Sequence, residues 1–368
     1  MGLLDQHGQP MDRPPVNQPP RGRSGRAHTH GLLELDEINV QLAGIRGLEK
    51  FDEMHMTDPD IRRLALMCWS PIQAGTWDVE PYGGDEATDK DRQAADLVKW
   101  ALWSAMAPTF PRHLETVGPV LLRSGFCPFE QIWMTATWKG RKVLVPRKLD
   151  YRMPRTIYNW YQDEYGDLTE IVQFLPNGGA VRIPAQDLVY YRIGAEGDNW
   201  TGRSLLRSAY KPWFLKDRLE RIDAIGQERK AVGLPVAYPP TQASDQARED
   251  METLLANVHI NEVGYIVMPG PSQEWNADAT DAWYIDVVKF DSSSGTGIQE
   301  SLKYHRDAIA SSFLGDFMQL GHNSVGARAL GEVQDDPFLT VIRALGVGVI
   351  ADTINSQLVH RIAALNFP

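Results

Sequence analysis

Gly202-Arg203-Ser204-Leu205-Leu206-Arg207-Ser208-Ala209-Tyr210 opens the stretch that decides the fold, and Val232-Gly233-Leu234-Pro235 closes it. Ser204 is an N-cap residue, because its hydroxyl can accept from the free N–H groups of a first helical turn. Leu205 and Leu206 supply the apolar side of that turn. Arg229 and Lys230 stand near the end, where cations complement the helix dipole. Gly233 stops the helix and Pro235 prevents its continuation. Pro212 falls near the start, where it kinks the helix or restarts it one turn later. The spacing predicts one long helix over 204–232. Its surface mixes both charge signs: Lys211, Lys216, Asp217, Arg218, Glu220, Arg221, Asp223 and Glu228. A helix so charged does not bury itself inside one subunit. It packs against copies of itself or lines something wet. The other reading is an ordinary surface helix with internal pairs such as Lys216–Glu220, and periodicity alone admits both.

Working outward, the downstream half is mostly helical. Leu234 to Tyr238 reads as a strand, Asp245 to Leu255 as a helix, and Val263 to Met268 and Tyr284 to Lys289 as strands, with an irregular stretch from Trp275 to Ala282. Asp291-Ser292-Ser293-Ser294-Gly295 caps a second long helix with an apolar stripe of Ile298, Leu302, Ile309 and Phe313. Residues 315–327 are Gly-rich and read as irregular. A last helical stretch runs to about Leu365, with a break near Pro337 and weak points at Gly346 and Gly348.

The upstream half is α+β. Residues 1–30 are rich in Pro, Gly and Arg and read as a disordered tail. His28 and His30 lie there without other ligands nearby in sequence and read as solvated. Leu32 to Lys50 holds a helix or an arm. Asp58-Pro59-Asp60 caps a helix carrying Ile61, Leu64, Ala65 and Cys68. Gly75 to Pro81 alternates and is expected to be a strand. Helices follow over 90–106 and 112–124, the second ending at Gly125. The period then drops to two. Strands are expected at 128–138, 143–145, 155–162, 168–174, 180–184 and 187–193, with turns at Lys139-Gly140 and Asn177-Gly178-Gly179.

Composition sets bounds. At 368 residues the chain can bury a sizeable core, and the length allows two or three domains. The net charge of −11 opposes tight nonspecific binding to nucleic acid, which needs clustered Lys and Arg. It suits a surface that nucleic acid passes without sticking, but charge alone favours an ordinary acidic cytosolic protein. Cys68 and Cys127 lie in apolar settings outside any Cys-x-x-Cys pair and are expected as free buried thiols. The most apolar run, Val341 to Ala351, is about half the length of a bilayer-crossing helix and holds Arg343, so no membrane span is expected.

Catalytic constellations are not visible. There is no phosphate-binding Gly-x-x-x-x-Gly-Lys loop, no His-Glu-x-x-His and no zinc spacing. Asp335-Asp336 and Asp58/Asp60 are paired acids that a metal-dependent nuclease or processing enzyme would use. As cap or solvated residues they need no such role. The tryptophans of the first half, Trp69, Trp77, Trp100, Trp103, Trp133 and Trp160, read as packing residues.

The 202–235 stretch, with Trp213 and Lys216 inside it, resembles the portal proteins of tailed bacteriophages, in their Mu-like branch. Phe313-Leu314-Gly315-Asp316 with Gly326-Ala327-Arg328-Ala329-Leu330-Gly331-Glu332-Val333 is a second match. Ile354-Asn355-Ser356-Gln357-Leu358-Val359 with Leu365-Asn366 is a third. None is catalytic; their order and spacing carry the resemblance, over roughly Asp58 to Asn366.

The resemblance implies an α+β portal fold. A tail over 1–30 precedes a wing of helices and short strands over 31–200. A first stem helix (201–233) and a second (291–315) bracket a small αβ clip (234–290). A tunnel loop (316–331) faces the channel, and C-terminal helices (332–368) return to the wing and toward a crown. Lys216, Arg218, Arg221 and Glu228 would then meet neighbouring subunits on the stem. Gln319, His322, Asn323, Ser324 and Arg328 would face the channel, and Trp275 and Trp283 would be clip contacts. The implied assembly is a homo-oligomeric ring, a dodecamer, at a capsid vertex of the virion. Its implied partners are the terminase, a head–tail adaptor, the major capsid protein and double-stranded DNA passing without sequence preference. The resemblance implies no enzymatic activity, cofactor, metal or membrane. The alternatives are the nuclease above and a non-viral scaffold assembled through the long helices.

Overall fold

The computed structural model describes residues 28–29, 33–34, 37–195, 197, 199–232, 234–238, 243–256, 284–288, 295–324 and 337–367. The chain divides into two compact units, one of Met1–Tyr210 with Ile309–Pro368 and one of Lys211–Ala308.

In the first unit, β1 (His28–Thr29) pairs with β2 (Leu33–Glu34), so the tail expected over 1–30 contains an ordered pair at its end. Four helices follow: α1 (Gly44–Thr57), α2 (Pro59–Ala74), α3 (Asp89–Trp100) and α4 (Phe110–Ser124). Their ends are written locally. Asp58 Oδ1 accepts from the N–H groups of Asp60 and Ile61, which makes Asp58 the cap of α2. Thr88 and Asp91 form a reciprocal capping box on α3. Gly125 ends α4 in the left-handed conformation. The strand expected over 75–81 is not formed. That segment runs as coil, and its Trp77 donates to the Ile72 carbonyl and sets its ring edge-on to Phe110. Extended backbone becomes a strand only when it pairs, and among the described residues 75–81 pair with no strand.

The strands form two three-stranded antiparallel sheets. In one, β3 (Phe126–Trp138) lies between β4 (Arg141–Tyr151) and β8 (Leu188–Arg192). In the other, β5 (Ile157–Gln162), β6 (Leu168–Phe174) and β7 (Ala180–Pro184) make a meander. Phe126, Ile157, Ile171, Ile183, Leu188 and Tyr190 form one apolar cluster that joins the two sheets. Cys68 and Cys127 are free and buried, as expected, and burial raises both thiols, Cys68 to about 12.

The C-terminal helical run begins at Pro337 and ends at Asn366, close to the expected bounds. It comprises α8 (Pro337–Ala344), a π-helical stretch (Leu345–Ala351), α9 (Asp352–Ile354), a second π-helical stretch (Asn355–Val359) and α10 (His360–Asn366). The first π stretch holds both glycines read as weak points. Over Phe338–Asn366 this run is long and apolar enough to cross a bilayer by length and composition, so the estimate of a half-length apolar segment is corrected. A sequence window stops at Arg343, but the helix carries that charge on its exposed face and continues. Its apolar side, Val341, Ala344, Leu345, Ile350, Ile354, Leu358 and Ile362, is buried in the core.

The second unit contains most of α5 (Leu206–Val232), then β9 (Leu234–Tyr238), α6 (Asp245–Ala256), β10 (Tyr284–Val288) and the first part of α7 (Gly295–Ser324). β9 and β10 pair antiparallel. The strand expected over 263–268 and the irregular stretch 275–282 lie outside the described residues. The helix α5 passes through Pro212 without interruption. Pro212 is the seventh residue of α5, beyond the free N–H groups of the first turn, so it removes one intrahelical bond that the rest of the helix sustains.

One expectation about α7 is corrected. It runs to Ser324, so 316–324 continue the helix instead of forming an irregular loop. Phe317, Met318, Gln319 and Leu320 favour helix, and one interior glycine, Gly321, costs only about 1 kcal/mol.

Candidate functional site

The root of α5 is held by a backbone crossing. Ile193 N–H donates to the Gly125 carbonyl at 2.8 Å, Arg203 N–H to the Ile193 carbonyl at 2.8 Å, and Leu205 N–H to the Leu122 carbonyl at 3.0 Å. Gly202 sits in the crossing at φ +60°, and a Cβ there would stand 2.3 Å from the Gly125 oxygen. Ser204 Oγ then accepts from Leu206 N–H at 3.0 Å and starts the helix. The Gly-Arg-Ser string thus fixes where the long helix leaves the first unit.

A segment upstream grips the same root. Glu37 forms a two-pronged ion pair with Arg207, and Tyr210 donates its hydroxyl to Gln41 Oε1. Burial alone would raise the Glu37 carboxyl. The bonds from Arg207 and from the Asn39 N–H outweigh it and hold Glu37 below its ordinary range.

The third string has a different task. Gln357 Oε1 accepts from Tyr190 N–H at 2.6 Å on β8, while Asn366 bonds both backbone groups of Leu144 on β4. β8 and β4 are the two edges of that sheet, so C-terminal amides close both. Gln131 Nε2, from the central strand, donates to the carbonyls of Leu188 and Gln357 at 2.9 and 3.1 Å. Arg361 bonds Asp187 at 2.8 Å and lies over the Trp133 ring. Sequence reading missed Gln131, Arg361 and the role of Asn366. The signal was present: Ile354, Leu358, Ile362 and Asn366 fall at intervals of four, an apolar stripe ending in an amide.

Within the second unit, α5 and α7 are tied by polar contacts. Gln299 Nε2 donates to Asp223 Oδ2 at 2.7 Å, and Arg306 stands 3.8 Å from Glu220. The stem residues are placed unequally. Lys216 is only 2% exposed, with Nζ 3.9 Å from Glu220, so its ammonium does not reach outward as a rim charge. Arg218 is exposed, with its guanidinium 4.3 Å from the centre of the Phe214 ring. Arg221 is exposed and pairs with Asp217 at 3.0 Å. Glu228 lies on α5, and its side chain is outside the described residues. On the same helix Leu215, Ile222 and Ile225 are exposed, the isoleucines by 54% and 52%. Leu215, Arg218, Ile222 and Ile225 recur at intervals of three and four, which puts them on one stripe.

Gln319, His322, Asn323 and Ser324 lie on the last turns of α7. Arg328, Trp275, Trp283, Asp335 and Asp336 lie outside the described residues. Asp58 is buried as a helix cap, and its role there is structural. Among the described residues no group of three or more His, Cys, Asp or Glu is placed to hold a metal.

A family model described as the portal protein of Mu bacteriophage matches residues 48–368. The chain belongs to that family. It is therefore a structural portal subunit, ring-forming and concerned with capsid DNA packaging, and not an enzyme. No curated protein matches this portal chain significantly. Among solved structures, a chain from the neck of a native gene transfer agent particle, computed with C12 symmetry, is 12% identical with TM-score 0.48. That match covers 87% of the portal chain and 82% of its counterpart. A chain from the virion of the native particle is 12% identical with TM-score 0.44, covering 85% and 79%. The crystal structure of an HK97 family phage portal protein from Corynebacterium diphtheriae is 13% identical with TM-score 0.41, covering 83% and 89%.

Proposed function

We propose that this portal subunit assembles as a dodecamer at one vertex of the capsid, with residues 201–233 and 291–315 as stem and 234–290 as clip. The wing is then 31–200, and 332–368 return to it. Terminase docks on the clip during packaging, a head–tail adaptor replaces it, and the major capsid protein surrounds the wing. Trp275 and Trp283 are the candidate clip contacts. DNA passes the segment 316–331, where Gln319, His322, Asn323, Ser324 and Arg328 face the channel.

The observation that carries this reading is the α5–α7 pair. The helices meet through Asp223–Gln299 and Glu220–Arg306, while Leu215, Ile222 and Ile225 stay exposed beside Arg218 and Arg221. Such a stripe fits a neighbouring copy around a ring. Lys216 is the exception, and its burial supports a role in packing within the subunit. Electron microscopy of the purified protein tests the proposal. Closed rings with twelve subunits and a central hole are expected; monomers or open filaments would sink it.

A further inference from the structure

Residues 37–40 alternate between partly buried and exposed, and Val40–Leu42 form a 3-10 turn. Glu37 and Asn39 are partly buried, and Leu42, which ends the segment, is fully so. Glu37 is tied to Arg207 and Gln41 to Tyr210, both on the first turns of α5. Asn39 braces the segment itself, giving its N–H to Glu37 at 2.8 Å and accepting from Gln41 N–H at 3.1 Å. Between these anchors Ile38 is 96% exposed and Val40 is 69% exposed. Glu37, Asn39, Gln41 and Leu42 hold or brace the segment on its own subunit, while Ile38 and Val40 present branched apolar side chains to water.

We propose that 37–42 is a two-faced strap, pinned on its own α5 root by Glu37 and Gln41, whose outer face of Ile38 and Val40 docks on a neighbouring copy of the same chain. The inference rests on the ring reading above, because a ring places identical copies on both flanks of every subunit. Two features argue for a second copy over a transient partner. The strap is held by a two-pronged ion pair and a hydroxyl–amide bond, so its apolar pair is presented in a fixed orientation before contact. It is also anchored to the first turns of α5, the helix that farther along carries the exposed Leu215, Ile222 and Ile225.

Two experiments on the full chain test this. The first compares sedimentation of wild type with the double variant Ile38→Asp and Val40→Asp. Both side chains are exposed, so the variant should melt with wild type, while the concentration for half-assembly of the ring rises at least about tenfold. The second places a photo-crosslinking phenylalanine analogue at position 38. Irradiated rings should yield covalent dimers on a denaturing gel. Unchanged assembly of the variant, or adducts confined to single chains, overturns the strap while leaving the ring intact. A wild-type protein that forms no ring overturns both readings, and that result is separable from the first.

Discussion

The side-chain amide of Asn366 satisfies both backbone groups of Leu144, donating from Nδ2 to the carbonyl at 2.8 Å and accepting at Oδ1 from the N–H at 2.9 Å. The same Nδ2 donates to Ile362 at 2.8 Å, and the residue is buried. Asn366→Leu keeps the branched side-chain shape and removes every side-chain hydrogen bond. It should cost about 2–4 kcal/mol in denaturant unfolding, because a buried edge strand loses its donor and acceptor partners together. A variant as stable as wild type would show that water replaces the amide.

Gly202→Ala should be far more damaging than a glycine change in a turn. The new Cβ would stand 2.3 Å from the Gly125 oxygen and 2.6 Å from the Ile193 oxygen. Gly140 also has a positive φ, at the β3–β4 turn, but nothing lies near its Cβ position. Gly140→Ala should cost about 1–2 kcal/mol from backbone conformation alone, and Gly202→Ala should exceed about 3 kcal/mol or yield no soluble protein. Thermal melts of the two variants side by side decide it.

His113 should make the first unit acid-sensitive. It is buried with Nε2 3.0 Å from the Tyr191 hydroxyl, and burial lowers its pKa to about 3. In the unfolded chain it binds a proton near the ordinary value of 6.5. Between those values the unfolded state holds more protons, so stability falls as pH drops, by up to about 1.4 kcal/mol per pH unit. His113→Phe should flatten that part of the stability–pH curve between about 6 and 3. An unchanged slope would place the acid sensitivity elsewhere.

The helix α5 should drive assembly more through its aliphatic stripe than through single ion pairs. Exposed pairs contribute roughly 0–1 kcal/mol each, so one charge reversal should be tolerated. Ile222→Asp with Ile225→Asp should shift sedimentation from ring to subunit. Reversal of Arg218, Arg221 and Glu228 together should shift it less, and more strongly at low salt.

Alanine at Gln319, His322 and Asn323 should leave rings intact, since alanine is at least as good a helix former on the end of α7. DNA should still be packaged, with altered retention at most, because gripping phosphates takes several cations and these positions carry none. Complete loss of packaging by intact rings would show that these side chains hold the DNA.

Elements with local signals were legible in the sequence. Asp58, Gly125 and Lys139-Gly140 carry their instructions within four residues, and the helices and the hairpin stand where those residues put them. Partnerships between distant residues were not. The 75–81 segment alternates like a strand but finds no edge, and 316–324 look irregular by glycine content while their neighbours extend the helix. For the candidate site, the charges of α5 could be read but not their burial. Lys216 and Arg218 are two residues apart and similar in sequence terms, and packing sends only one outward.

The amide closures on β4 and β8 also set an order of events during synthesis. Residues 126–192 supply all three strands of that sheet, yet Leu144 waits for a partner 222 positions downstream. At translation speeds of roughly 5–20 residues per second, the sheet stands with bare edges for on the order of tens of seconds. A nascent subunit is then exposed to strand pairing with its siblings on the same message. A chaperone that shields β4 and β8 until Gln357 and Asn366 have been made should therefore raise the yield of folded subunits.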